Sequence, residues 1–272
     1  MTYPFLKGHG TENDFVLLPD HDGSQHGELS AERVRALCDR RAGIGADGVL
    51  RVVRSEALKV DGPEWFMDYR NADGSLSEMC GNGVRVFARH LVEEGLATLP
   101  VEVGTRAGIK VVTAAQGDLL TVDMGGPVTF GQTPVTVGER RWAGVHVDLG
   151  NPHAVALVED LAEAGPLLES PGYDEATYPH GVNVEFAVRR GERHVAMRVH
   201  ERGSGETRSC GTGACAVMVA AALADGVTDP PEDDLTYRVD VPGGELAVTW
   251  TADDRVLLTG PAVVVARGTT DL

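Results

Sequence analysis

The 272-residue chain is predicted to be an α+β protein of two similar domains, each a mainly antiparallel sheet around a central helix. Three observations predict this. Cys80-Gly81-Asn82-Gly83 and Cys210-Gly211-Thr212-Gly213 are one short motif written twice, 130 positions apart, and each copy opens a helical pattern. The match extends outward: Met67-Asp68-Tyr69-Arg70-Asn71 aligns with Met197-Arg198-Val199-His200-Glu201 at the same offset, which sets Asn71 opposite Glu201, and Gly95 and Gly226 stand where a C′ glycine ends each helix. Short β-rich segments punctuated by Gly and Pro fill the remainder. Val101-Glu102-Val103 resembles Val239-Asp240-Val241 and Gly126-Pro127 resembles Gly260-Pro261, with offsets of 138 and 134, the drift that loop insertions produce. The expected halves are residues 1–127, joined by a C-terminal strand within 260–272, and residues 128–259.

In chain order, residues 15–18 read as a strand, 30–41 as a helix with Ser30 as N-cap, and 49–53 and 65–69 as strands. In the helix after the first motif, Val84, Phe87, Ala88, Leu91 and Val92 fall at i, i+3, i+4, i+7 and i+8 and predict one apolar stripe. Residues 214–224 are apolar on every side, so that helix must be wrapped by protein. Strands are expected at 101–103, 109–113, 119–124, 145–149, 182–188, 195–199, 237–241, 246–250 and 256–258.

Composition narrows the function classes. A formal charge of −17 without any basic block argues against nucleic acid or an anionic membrane as partner, because phosphate contacts need clustered Lys and Arg. The chain opens without a basic start and apolar run, and its longest apolar stretch is eleven residues, too short for a bilayer; a cytoplasmic protein is expected. Four cysteines without secretory features point to reduced thiols. Nine histidines form no ligand spacing with them, so no metal is expected. Lysines occur only at 7, 59 and 110, and none lies in a cofactor motif.

Two matched thiols at two helix N-termini suggest proton chemistry on two faces. Unpaired N–H groups and the helix dipole favour negative charge there, which tends to lower a thiol pKa. One cysteine can then remove a proton while the other supplies one. Asn13, Asn71, Asn82, Asn151, His153, Asn183, Glu201 and Arg202 are dispersed on strand ends and loops near both motifs. Arg202 offers a planar fork for a carboxylate, Glu201 can accept from an ammonium, and asparagine does both, so an amino acid is the natural ligand. Cys38 and Cys215 lie inside helical patterns and read as structural.

Gly43-Ile44-Gly45-Ala46-Asp47-Gly48 matches the dinucleotide fingerprint letter for letter, yet it follows a helix and precedes a strand. Pyrophosphate binding requires the reverse order, strand then helix N-terminus. A helix C-cap turn is the expectation.

The segments His9-Gly10-Thr11-Glu12-Asn13-Asp14-Phe15, Asn71-Ala72-Asp73-Gly74-Ser75, Gly150-Asn151-Pro152-His153, Gly181-Val182-Asn183-Val184 and Glu201-Arg202-Gly203, with the two cysteine motifs, closely resemble diaminopimelate epimerase in the family's order across nearly the whole chain. The resemblance implies an isomerase that interconverts LL- and meso-diaminopimelate on the bacterial route to lysine and peptidoglycan, without pyridoxal phosphate or any other cofactor. It implies two similar domains with the active site in the cleft between them, and leaves a homodimer open. It implies Cys210 as proton acceptor and Cys80 as proton donor in the LL to meso direction, with His153 and Glu201 tuning the thiols. Backbone N–H groups of Gly81, Asn82, Gly211 and Thr212 are implied to bind the reacting carboxylate, Glu201 the α-ammonium, and Asn13, Asn71, Asn151, Asn183 and Arg202 the remaining groups. Two positions depart from relatives: Gly48 stands where some carry Gln, and Ala154 where some carry Cys.

Two other readings fit the cysteine pair. A related racemase acting on proline or hydroxyproline would keep both thiols but need fewer distal polar groups. A thiol redox or amino-acid-binding protein would use them as a switch, although no C-x-x-C is present.

Overall fold

The computed structural model describes residues 2–272. The chain divides into two compact units, one running to Val122 and resuming over Gly260–Leu272, the other Asp123–Thr259. In the first, a hairpin of β1 (Tyr3–Gly10) and β2 (Asn13–Pro19) is followed by α1 (Ala31–Cys38), β3 (Gly48–Arg54), the single turn α2 (Ser55–Leu58), β4 (Trp65–Asn71), α3 (Gly81–Glu93), β5 (Val101–Thr105), β6 (Gly108–Ala114) and β7 (Leu120–Gly125), within which the division falls. The second contains β8 (Val128–Val137), β9 (Arg140–Asp148), β10 (Pro152–Leu157), a 3-10 turn at Leu161–Ala164, β11 (Gly172–Tyr173), β12 (Asn183–Gly191), β13 (His194–Glu201) and β14 (Gly205–Thr207). It continues with α4 (Gly211–Ala224), β15 (Leu235–Val241), β16 (Gly244–Trp250) and β17 (Val256–Gly260), after which β18 (Val263–Thr270) pairs with β1.

Strand pairing exposes the duplication directly. The first unit has the order β18-β1-β2-β3-β4-β5-β6-β7, antiparallel except at β2–β3 and β4–β5. The second has β8-β9-β10-β12-β13-β15-β16-β17, antiparallel except at β10–β12 and β13–β15, the same two joints. β11 and β14 are additions at β8 and β13. Each central helix joins the strands of the second parallel pair, because a parallel connection needs a crossover. The registers correct one alignment. Two-residue turns fix Thr105 opposite Gly108 and Val241 opposite Gly244. Val103 therefore corresponds to Val239, an offset of 136 rather than 138.

Each sheet curls around its helix. α3 packs against β1, β2, β3, β5, β6 and β18, and α4 against β9, β10, β12, β13, β15 and β16. α4 is buried from Gly211 to Ala222, as an all-apolar helix must be. α3 departs from its predicted single stripe: Gly81 to Ala88 are all buried, Arg85 included, while Val92 at the end of the pattern is only half-buried. Periodicity missed this because Arg85 and His90 are polar residues enclosed by the curled sheet.

Other differences are local. α1 stops at Cys38 rather than 41, since the Ile44 and Gly45 N–H groups both turn back onto the Leu37 carbonyl. Ser30 caps it by accepting from the Arg33 N–H. β1 and β10 were not expected, because Gly8 and Gly10 in one and Pro152, Ala154 and Ala156 in the other are weak strand formers that only enclosure by neighbours holds extended. β8 was not expected because most of its residues are exposed and show no alternation. No helix among the described residues is long and apolar enough to cross a membrane.

Leu50 of β3 is fully buried, and its Cδ2 would stand 3.3 Å from a Cβ at Gly83, so it supports the first turn of α3. Leu50→Ala is expected to lower unfolding free energy by about 2–5 kcal/mol through the cavity it leaves. Urea denaturation measures this, and a loss well under 1 kcal/mol would contradict the packing described.

Candidate active site

Both motif cysteines are helix N-caps. Cys80 has extended backbone (φ −144°, ψ 118°) and its Sγ accepts from the Gly83 N–H at 3.5 Å; Cys210 (φ −120°, ψ 117°) does the same with Gly213 at 3.3 Å. Sulfur thus takes the place of the usual cap oxygen at N3. The preceding N–H groups, of Gly81 and Asn82 in α3 and of Gly211 and Thr212 in α4, have no acceptor inside their helices. Such N–H groups at a helix N-terminus are suited to an anion.

Around Cys80, the short β1–β2 turn sets the chemistry. Thr11 and Glu12 have φ of 48° and 61°, and this tight left-handed loop places Asn13 at the first residue of β2. Cys80 Sγ donates to Asn13 Oδ1 at 3.5 Å, and Asn82 Nδ2 donates to the same oxygen at 3.2 Å. Arg85 Nη2 donates to Asn82 Oδ1 at 2.7 Å, and Asn13 Nδ2 donates to Asp47 Oδ2 at 2.8 Å. Asp47 and Arg85 are site-shaping residues that sequence reasoning missed. Asp47 comes from the G-x-G-x-x-G segment, which forms the C-terminal turn of α1 through Gly43 N–H to Asp39 O and Ala46 N–H to Cys38 O, and then delivers its acid to Asn13. Burial, followed by the nearby Asp14 charge, raises the Asp47 carboxyl above its ordinary value. Asp14 moves the other way: hydrogen bonds from Arg40 and Lys7 outweigh its burial and hold it at about 2. Gly48 cannot carry a side chain here, since a Cβ would lie 2.6 Å from both the Arg70 carbonyl oxygen and the Tyr69 ring. Asn71 is not drawn into this network; its Nδ2 donates to Ser75 Oγ at 3.0 Å and closes its own turn.

Around Cys210 the partners differ. Thr212 Oγ1 is 3.5 Å from Cys210 Sγ, Asn151 Nδ2 donates to Thr212 Oγ1 at 3.2 Å, and Asn151 Oδ1 faces His153 Nε2 at 3.2 Å. His153 Nδ1 meets Glu185 Oε1 at 2.6 Å, with both side chains fully buried. Asn183 Oδ1 accepts from the Arg202 N–H at 3.0 Å, Asn183 Nδ2 donates to the Pro152 carbonyl at 3.3 Å, and the exposed Arg202 guanidinium donates through Nη1 to the His180 carbonyl at 3.2 Å. Glu201, last in β13, accepts from the Thr207 hydroxyl. Sequence reasoning missed Glu185, although a lone acid within the otherwise apolar run 184–188 was a readable signal.

The helix dipole does not win at Cys210. Burial raises its thiol well above the ordinary range, and the Glu201 and Glu185 carboxylates add to the rise, outweighing hydrogen bonds from Thr212 and Gly213. The expected lowering is therefore reversed. Cys38 is likewise raised, to about 12, by burial, as suits a structural thiol.

The family profile described as diaminopimelate epimerase matches residues 5–130 and 145–265. Diaminopimelate epimerase from Streptomyces coelicolor is 56% identical over 277 residues, covering 98% of this chain and 95% of that protein. The chain belongs to the diaminopimelate epimerase family. The Corynebacterium glutamicum diaminopimelate epimerase is 48% identical, with 98% of each chain covered. Among solved structures, a Bacillus anthracis phenazine biosynthesis protein of the PhzF family superposes with a TM-score of 0.74 at 15% identity over 100% of both chains. A hydroxyproline epimerase from Agrobacterium vitis does so with 0.69 at 18% identity, over 99% of this chain and 92% of that one. At such identities these two share the fold alone.

The two thiols should differ in reactivity without ligand. Cys80 is half-buried whereas Cys210 is buried and held protonated, so iodoacetamide at pH 7.5 is expected to label Cys80 first. A raised pKa means that Cys210 labelling grows only as pH climbs through and beyond about 9. Peptide mapping across pH reads both, and Cys210 labelled first at neutral pH would overturn the assignment of its surroundings.

Proposed function

We propose that the chain epimerises LL-diaminopimelate to meso-diaminopimelate by a two-thiol mechanism that needs no cofactor, as a soluble cytoplasmic step towards lysine and peptidoglycan. Family membership supports the reaction and argues against the proline-type racemase and thiol-switch readings. The observation that carries the mechanism is the paired placement of Cys80 and Cys210 as N-caps of equivalent helices. Removing an α-proton from an amino acid leaves a carbanion whose charge spreads onto the adjacent carboxylate. N–H groups of Gly81, Asn82, Gly211 and Thr212 are suited to receive that charge as preorganised donors.

The surroundings support different roles for the thiols. Asn13 Oδ1 can only accept, which keeps a proton on Cys80 and suits it as donor in the LL to meso direction. Cys210 faces the Gly213 N–H and a Thr212 hydroxyl, both able to donate to a thiolate, which suits it as acceptor. Glu201 is one source of the field that holds it protonated. A substrate α-ammonium bound at Glu201 would offset that field, so that the base forms as substrate arrives. Arg202, Asn183, Asn151, Asn13 and Asn71 would hold the other amino and carboxylate groups, with Arg202 offering the planar fork.

Purified, reduced protein in deuterated water, without added pyridoxal phosphate or metal, should convert LL- to meso-diaminopimelate with deuterium at one α-carbon. Dependence on an added cofactor would sink the mechanism. Cys80→Ala and Cys210→Ala should each abolish inversion while slowly labelling opposite epimers with retention; inversion at near wild-type rate by either would require a single base. Glu201→Gln should cost on the order of 2–5 kcal/mol in kcat/KM by leaving the ligand ammonium unpaired. Unchanged kinetics in that variant would remove Glu201 from the site.

A further inference from the structure

The duplication offers an internal comparison for the segment that leads into each cysteine. In the second unit that segment contains β14, which pairs with β13 by setting Val199 opposite Thr207, His200 opposite Glu206 and Glu201 opposite Gly205. The offset of 130 maps these pairs onto Tyr69 with Ser77, Arg70 with Leu76 and Asn71 with Ser75. The first unit follows the same course without forming a strand. Asn71 N–H donates to the Ser75 carbonyl at 3.0 Å, Arg70 and Leu76 make an isolated bridge, and Ser77 N–H reaches the Tyr69 carbonyl only at 3.4 Å. Pairing is therefore weakest at the residues nearest Cys80.

A further fastening comes from the two-residue turn of the hairpin that follows each helix. Ala107 N–H donates to the Glu78 carbonyl at 3.2 Å, and Gly243 N–H donates to the Arg208 carbonyl at 2.8 Å. Each acceptor lies two positions before its cysteine. The turns differ at their first residue, where the first unit has Arg106 and the second Pro242. Arg106 Nη1 donates to the carbonyls of Tyr69 at 2.9 Å and Ser77 at 3.2 Å, and its Nη2 donates to Asp68 Oδ1. One side chain thus ties together the two residues whose own pairing is loose.

Asp68 holds the guanidinium in that place. This acid of β4 is buried; its Oδ1 also accepts from Arg70 Nε at 3.1 Å, and its Oδ2 lies 3.6 Å from Arg51 Nη1. Burial would raise the carboxyl, but hydrogen bonds from Arg106 and Arg70 outweigh it and keep it below its ordinary value. An ionised acid and a guanidinium that keeps its proton hold the contact throughout the neutral pH range.

We propose that Arg106 is a positioning residue for the epimerisation: where a strand fastens the approach to Cys210, its guanidinium bridges the Tyr69 and Ser77 carbonyls and so fixes where Cys80 Sγ stands at the N-terminus of α3. The proposal rests on Cys80 acting as a proton-transferring thiol, as argued above. Proton transfer demands close placement, and a displacement of about 1 Å can cost on the order of 10²-fold in rate. A lysine could still pair with Asp68, but its single nitrogen lacks the fork that reaches acid and carbonyls together.

Arg106→Gln in the full chain should lower kcat by roughly tenfold or more and raise amide hydrogen exchange over residues 75–83 while leaving 205–213 unchanged. Arg106→Lys keeps the charge beside Asp68 and should show the same two effects with a smaller loss of melting temperature, so the test stands even if the glutamine variant folds poorly. Isotope exchange then separates misplacement of one thiol from general loosening. With Cys80 displaced, Cys210 still takes the proton from LL-diaminopimelate, and failed delivery from the opposite face lets Cys210 return it, as deuterium once its thiol has exchanged with solvent. Recovered LL substrate in deuterated water should therefore gain label, relative to inversion, faster than with wild type. meso-Diaminopimelate, whose reacting proton Cys80 must remove, should show no such rise. Wild-type kcat, unaltered hydrogen exchange over 75–83, or the same change for both substrates overturns the proposal. Cys80→Ala separates the two claims: inversion at near wild-type rate by that variant defeats the two-thiol mechanism, whereas its inactivity beside an undiminished kcat in Arg106→Gln defeats only the role of Arg106.

Discussion

A sulfur accepting from the N3 N–H of a helix sealed inside a curled sheet is the contact on which the rest of each unit depends. Solvent cannot satisfy the first turn of such a helix, so its donors must be met by the cap or by a ligand. Cys80 and Cys210 meet one donor each, and the two N–H groups before it in each helix have no acceptor within the helix. In both units the curled sheet covers the sides of the helix. The strand orders of the two units do this identically, with parallel joints in the same places.

From a shared backbone the two caps have been given different proton chemistry. In the first unit the sulfur faces an oxygen that can only accept, and that oxygen is held through Asn13 by the acid Asp47. In the second it faces a hydroxyl that accepts from Asn151, which in turn meets a buried imidazole–carboxylate pair. On the proposed mechanism the first arrangement suits a proton donor and the second an acceptor. A reaction that takes a proton with one group and returns it with another needs that inequality.

Charge placement follows the same logic. Burial and the carboxylates of Glu201 and Glu185 raise the Cys210 thiol well above its ordinary range. On the proposed mechanism, a cationic ligand group at Glu201 would offset that rise. The −17 charge of the chain plays no part in this, because exposed charges are screened within about a Debye length while the acids beside Cys210 are not.

The residues alone determined much of this protein. The repeated motif, the two helices it opens, the C′ glycines and most strands rest on local rules of capping, period and turn chemistry, and these are short-range. The order of elements was enough to dismiss the G-x-G-x-x-G segment as a nucleotide site. Family resemblance named most polar residues of the site, but not Asp47, Arg85 or Glu185, which reach the cysteines through other side chains. Periodicity also failed where burial is not one-sided: α3 is enclosed on nearly every face, and β1 and β10 are extended because neighbours hold them so. The protonation of Cys210 was out of reach of any local reading. A helix N-terminus predicts a lowered thiol, but Glu201 and Glu185 lie on separate strands, and only the folded sheet places their charges beside the buried sulfur. Electrostatic energy depends on distance through a low-dielectric interior, and the sequence does not contain that distance until the chain has closed on itself.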